Sequence, residues 1–248
     1  MGLHRAAAEG FERGAAAYER GRPSYPGEAV AWMIGQLQIG TGSTVVDLGA
    51  GTGKFTRLLR PSGARLIAIE PVAAMRAELE RAVPEVQVID GTAESMPLAD
   101  HSVDCLVAAQ AFHWFATPAA VREIHRVLGE SGGLGLIWNR RDLRDPLQAA
   151  LNAIVRDHRG EAPAHERNRW REALEGNPLF RPIGEQQFPF EQAADQDGVV
   201  DRVLSTSFIA AMDDPMREQV AKQVRGLVRP GDMVALRYLT DVFLFRSR

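Results

Sequence analysis

Cysteine is almost missing from this chain: Cys105 is the only one in 248 residues. A single thiol excludes an intrachain disulfide framework and a thiolate zinc site, and makes a reducing, cytoplasmic setting the expectation. Long apolar runs are missing too, none approaching the roughly 18 residues of a membrane span. The opening stretch MGLHRAAAEGFERG has no signal-peptide core, and Ala6 stands where a myristoylation site needs Ser or Thr. No membrane partner is expected. Nor is there an excess of positive charge, because 29 Lys and Arg face 32 Asp and Glu, a formal net charge of -3. Nucleic acid held mainly through its phosphates is therefore not expected. His158 and His165 lack the partner spacing of a metal site, and no metal is expected. Repeats and low-complexity tracts are absent.

What is present is the make-up of a globular protein, 45% hydrophobic and 25% charged, with enough length for one main domain. From Thr44 to Arg140 short apolar runs alternate with segments of helical spacing. That is the pattern of a parallel sheet with crossover helices. The candidate strands are TVVDL, RLIAIE, VQVID, VDCLVAA and GLGLIWN, and Phe55 to Leu59, Ala73 to Ala82 and Ala119 to Leu128 read as helices between them. Strands apolar throughout need cover on both faces, so helices are expected on either side. EAVAWMIGQL reads as a further helix over the sheet, and Pro146 to His158 as another. EQQFPFEQA and VALRYLTDVFLF are candidate late strands, while the stretches between Arg141 and Gly184 and from Asp195 to Arg229 suggest a lid or insert.

VVDLGAGTGKF, residues 45 to 55, places three glycines after an apolar strand that ends beside an acid. Strand, glycine turn and helix form the usual ligand corner of a doubly wound sheet. Spacing then discriminates among ligands. Gly49, Gly51 and Gly53 follow GxGxG, with Lys54 where a dinucleotide fingerprint has its third glycine. A Walker loop fails as well, needing glycine at Leu48 and a hydroxyl at Phe55. Asp47 at the strand tip would repel a pyrophosphate and attract an ammonium or sulfonium group. Glu70, closing the second strand, is placed to accept hydrogen bonds from a ribose diol. A nucleoside joined to a cationic amino acid without phosphates describes S-adenosylmethionine. Taken singly, Asp47 reads equally as a helix cap and Glu70 as a solvated strand end.

At this point the chain resembles the class I S-adenosylmethionine-dependent methyltransferases, and within them the small-molecule branch similar to trans-aconitate methyltransferases. The resemblance is carried by YERGRPSYP, VVDLGAGTGKFTRLL, AIEPVAAMRAEL, GTAESMPL, AAQAFHWF, EIHRVLGESGGLGLIWNRRD and YLTDVFLFR, in that order. It implies an α/β, Rossmann-like, doubly wound sheet of seven strands with the last antiparallel, helices on both faces, an N-terminal cover and a C-terminal helical insert. The corresponding division is one domain: 1–42 the cover, 43–140 the cofactor-binding core, 141–232 the substrate-shaping insert and late strand, 233–248 the last strand.

The resemblance also implies roles. Asp47, Gly49 and Gly51 would serve the methionine end of the cofactor, Thr52 and Gly53 would add contacts, and Glu70 would hold the ribose. Pro71 and Met75 follow, with Met75 placed either to pack on adenine or to fill the core. Relatives commonly carry an acid where Thr92 stands, which leaves Thr92 or Glu94 for the adenine amine and Ala93 for the ring. Ala109 and Gln110 would border the cofactor; Phe112 and Trp114 would meet the substrate or anchor a lid. His113 is the candidate base, able to take a proton from an acceptor hydroxyl. Tyr18, Arg22 and Tyr25 belong to the cover, Arg22 pairing with a carboxylate. Asn139 and Arg140 leave the fifth strand at the same rim. A methyltransferase acting in line on a small-molecule acceptor, a carboxylate or a hydroxyl, is the leading reading, as a monomer or homodimer. A nicotinamide-dependent oxidoreductase and a non-catalytic S-adenosylmethionine-binding protein are the alternatives.

Overall fold

A computed structural model describes Glu19, residues 21–158 and residues 169–248. After helix α1 (Gly27–Leu37), β1 (Thr44–Leu48), α2 (Lys54–Leu59), β2 (Arg65–Ile69), α3 (Ala73–Ala82), β3 (Gln87–Ile89), β4 (Cys105–Ala109), α4 (Pro118–Leu128) and β5 (Gly133–Arg141) alternate as the apolar runs predict. There follow α5 (Pro146–Asp157), the short α6 (Arg169–Glu172), β6 (Phe180–Ala194), α7 (Gln196–Leu204), α8 (Ser207–Ala210), α9 (Asp214–Arg225) and β7 (Val234–Ser247). The strands form one seven-stranded sheet in the order β3-β2-β1-β4-β5-β7-β6. The first five are parallel, and β7 runs antiparallel between β5 and β6.

Side-chain alternation explains why the strands are apolar on every position. Val46, Leu48, Ile67 and Ile69 face one layer, built with Val121, Ile124 and Val127 of α4. Val45, Leu66 and Ala68 face the other, in one apolar cluster with Met33 and Leu37 of α1, which lie against β5, and with Leu59 of α2 and Leu79 of α3. Helix starts follow local chemistry. Thr117 caps α4 by accepting from the Ala120 amide and Asp145 caps α5 by accepting from Gln148, each followed by proline at the first position.

Beyond the sheet proper, α5, α7 and α9 pack with the extended ends of β6 and β7 in a third apolar cluster. This cluster overhangs the carboxyl edge of the parallel strands. The expected insert is thus present, with one correction: residues 180–184 belong to β6 and not to a lid. β6 is an edge strand, so Pro182 and Pro189 cost it no ladder partner on the sheet's open side. No helix among the described residues is long and apolar enough to cross a membrane.

Candidate active site

β1 and β4 are neighbours at the centre of the sheet, but the chain leaves them in opposite directions, toward β2 and toward β5. Their carboxyl ends therefore open a crevice at the point where strand order reverses. It has two compartments that share Gly49, Ala109 and Gln110. The larger is a cleft open to solvent on one side. Of the predicted cofactor residues, Gly49, Gly51, Glu70, Pro71 and Met75 line it from the β1 and β2 side. Thr92, Ala93, Glu94, Ala109 and Gln110 line it from the other, with Trp114 at its wall. The smaller compartment is lined by Arg22, Tyr25, Lys54 and Phe55 around the shared residues.

The glycine loop takes its path from positive φ values, +70° at Gly49, +58° at Gly51 and +81° at Gly53. At Gly49 a Cβ would stand 2.8 Å from the Cβ of Ala111, so only glycine lets the loop after β4 approach this closely. Two predicted contacts fall elsewhere. Gly53 lines neither compartment; its added Cβ would meet Leu79 of α3. Thr52 is buried and its hydroxyl donates to Glu19 Oε2 at 2.5 Å, because a carboxylate is the stronger acceptor within reach. Glu19 also receives Arg57 Nη2 at 2.5 Å and lies 3.6 Å from Lys54 Nζ. Glu19 is thereby tied to the glycine loop and to α2. Burial lowers the Lys54 ammonium from its usual range, and Glu19 opposes that shift.

The two acids occupy different depths. Glu70 is at the cavity wall, and each of its oxygens takes one backbone N–H: Gly51 to Oε2 at 2.9 Å and Val72 to Oε1 at 3.0 Å. Burial raises its carboxyl above the usual range, against these two bonds. Each oxygen keeps a lone pair for a donor in the cavity. Asp47 lies under the loop and lines neither compartment. Thr56 donates to its Oδ2 at 2.6 Å, while Oδ1 is buried with no hydrogen-bond partner. Burial pushes its carboxyl up to about 7, Thr56 opposes this and the nearby Glu70 adds to it. A cation brought to the loop would relieve both the orphaned oxygen and the suppressed charge.

At the tip of β4, Gln110 has φ +57°, a strained conformation for a side-chain-bearing residue, and its Nε2 donates to the Asn139 carbonyl at 2.9 Å. The aromatic row after it divides. Trp114 lines the larger compartment, whereas Phe112 is fully buried against Phe115 and Trp170, so its predicted substrate contact is corrected to a core role. His113 also lines neither compartment, and its Nδ1 accepts from Trp138 Nε1 at 3.1 Å. The predicted base is thus turned toward the sheet. Asn139 and Arg140 are likewise engaged by other parts of the fold. Asn139 donates to the Ser24 carbonyl at 2.7 Å and accepts from Thr240 at 2.6 Å, while Arg140 pairs with Asp241 at 3.0 Å. Arg22 and Tyr25 do reach the smaller compartment, Tyr25 held edge-on by Phe55. Tyr18 lies outside the described residues. No cluster of three or more His, Cys, Asp or Glu suited to a metal occurs among the described residues.

Fold and crevice define a doubly wound protein with its ligand corner at the β1/β4 switch point, and comparison with known proteins narrows this. The methyltransferase domain family matches residues 46–136. An uncharacterized methyltransferase-like protein of Schizosaccharomyces pombe is 33% identical over 240 residues, covering 94% of this chain and 93% of that protein. An uncharacterized methyltransferase of Mycobacterium tuberculosis is 35% identical over 218 residues, covering 88% and 85%. Among solved structures, a candidate type II methyltransferase from Anaeromyxobacter dehalogenans has the same fold, with a TM-score of 0.67 at 21% identity over 92% of this chain and 97% of that one. The chain belongs to the class I S-adenosylmethionine-dependent methyltransferases. It is an enzyme whose cofactor is S-adenosylmethionine, which sets the oxidoreductase alternative aside.

Proposed function

We propose that the methyl acceptor is a small molecule, methylated on a carboxylate or hydroxyl oxygen. The observation that carries this is the narrow second compartment, bounded by Arg22, Tyr25, Lys54 and Phe55, which shares Gly49, Ala109 and Gln110 with the larger one. Its cationic and aromatic lining suits a small acid or phenol. The net charge of -3 also gives no general attraction for nucleic acid.

When bound, S-adenosylmethionine supplies a methyl group on a positively charged sulfur, already activated for transfer. Met75 and Ala93 offer an apolar wall for the adenine, with Thr92 and Glu94 at its edge. Glu70 accepts the ribose hydroxyls through the lone pairs that Gly51 and Val72 leave open. Gly49 and Gly51 bring bare backbone to the methionine end above the buried charge of Asp47, and Arg22 pairs with a carboxylate. No histidine lines either compartment among the described residues. Positioning can supply roughly 7 to 11 kcal/mol, more than the factor of about 10² to 10⁴ typical of a general base. A carboxylate acceptor needs no deprotonation at all.

The test is a screen of small carboxylic acids, phenols and alcohols with methyl-labelled cofactor, run beside RNA and protein acceptors. Label is expected in a small molecule. Label found solely in RNA or protein contradicts the reading.

A further inference from the structure

Arg76 lines neither compartment, yet it fastens together the two strand ends that wall the larger one. It stands in the first turn of α3, next to Met75, and its side chain is 19% exposed. The β1–β2 and β2–β3 ladders both end at Ile69, so the Glu70 carbonyl lies beyond the last ladder bond. Arg76 Nη1 donates to that carbonyl at 2.8 Å. The peptide it belongs to joins Glu70 to Pro71, both of which line the cleft, and proline brings no N–H with which to hold the plane. The guanidinium bond takes over that task.

On its other side, Arg76 Nη2 donates to Asp90 Oδ2 at 3.0 Å. Asp90 follows β3 and leads directly into Gly91, Thr92, Ala93 and Glu94, the opposite wall of the same cleft. One planar fork thus spans both walls, a geometry that a lysine's single nitrogen matches only in part. An exposed ion pair alone would contribute little, and the Asp90 side chain is 70% exposed. Two things set this pair apart: the second bond, to main chain at the cavity wall, and the shared charge. Burial raises the Glu70 carboxyl; Val72, Gly51 and Arg76 oppose this, and Asp90 adds to it.

We propose that Arg76 is a positioning residue for the nucleoside half of S-adenosylmethionine, holding the Glu70 wall and the Thr92 to Glu94 wall in the relative orientation that ribose and adenine require. This rests on the placement of the cofactor in the larger compartment. Arg76 acts through Glu70 above all, since it reaches neither compartment itself. Walls that it no longer holds must be ordered by the ligand, so its loss appears as lost affinity.

The experiment titrates S-adenosylhomocysteine, and 5′-methylthioadenosine as a probe without the amino acid, into the full chain by calorimetry. Arg76→Met is expected to weaken both ligands by the same factor, about fivefold or more, with partial recovery in Arg76→Lys. Arg81→Met, on the same helix with its side chain 70% exposed, should leave both affinities as they are. In a Glu70→Ala background the Arg76→Met factor should shrink to about twofold or less, the coupling expected of residues that act as a unit. Asp90→Ala, at an exposed position, should weaken both ligands about two- to fivefold and decides the matter together with Arg76→Lys if the methionine variant does not fold. Unchanged affinity in folded Arg76→Met, a loss confined to S-adenosylhomocysteine, an equal loss in Arg81→Met, or the same factor in both Glu70 backgrounds overturns the role of Arg76 while Glu70→Ala, weakened, leaves the cofactor where it is placed. Wild-type affinity in Glu70→Ala removes the cofactor from this wall, and the role of Arg76 with it.

Discussion

Asp47, beneath the glycine loop, carries a charge that burial makes costly. Its carboxyl is held at about 7 against an ordinary 3.8, chiefly by burial. Below about pH 4 the group is protonated whether the chain is folded or not, and it costs nothing. As pH rises toward 7 the unfolded chain ionises while the folded one does not, so stability falls; above 7 the whole penalty, at most about 4 kcal/mol, is present. Asp47→Asn keeps an acceptor for Thr56 and removes the charge. Without cofactor, its Tm is expected to gain on the wild type progressively between pH 4 and pH 8, and a gap independent of pH would show that burial does not govern this carboxyl. Gly49 is constrained by geometry and not by charge. With φ +70° and Ala111 2.8 Å from the place of a Cβ, Gly49→Ala should lose about 1 to 3 kcal/mol in urea unfolding. An unmoved midpoint would mean that the loop after β4 gives way without cost.

At the level of elements, what could be read from the chain was whatever repeats locally. β1, β2, β4 and β5 show as apolar runs because each buries both faces, and Ala73 to Ala82 appears as a helix with the ends it has in the structure. β6 reaches from Phe180 to Ala194, beyond the EQQFPFEQA that marks it in sequence, because an edge strand with prolines and exposed polar positions carries little pattern. Trp170 is hidden in the same way, flanked by arginines and a glutamate that suggest a solvated segment. In the fold it is 2% exposed, with Trp138 at 4.6 Å and Phe243 at 4.8 Å between ring centroids, and Arg171 lies over the Phe243 ring at 4.5 Å. These partners come from β5 and β7, and no local spacing foretells them. Trp170→Ala should cost about 3 to 5 kcal/mol in denaturant unfolding, since it empties the joint between α6 and the sheet. A loss below about 1 kcal/mol would show that α6 packs only loosely.

For the whole molecule, strand order decides where chemistry can occur. The reversal between β1 and β4 opens the crevice, and the glycine loop, the end of β2 and the loop after β3 converge there from separate stretches of chain. The lining of the larger compartment was legible because it is built from short contiguous motifs whose spacing reflects backbone geometry. How His113, Asn139 and Arg140 are oriented could not be read from the sequence, because a place near a strand end does not say which way a side chain turns. The fold turns His113 onto Trp138, and it ties Asn139 to the N-terminal segment and to β7. Glu19 gave no local signal, since its contacts cross from the N-terminal segment to the glycine loop and α2.

The most direct measurement is a calorimetric titration of S-adenosylhomocysteine into the wild type and into Glu70→Ala. Glu70 is the wall residue with both oxygens prepared by backbone donors. Binding at one site is predicted, weakened by about 1 to 3 kcal/mol, roughly 5- to 150-fold, in the variant. No binding to the wild type, or equal affinity in a folded Glu70→Ala protein, would contradict the placement of the cofactor at the β1/β4 switch point.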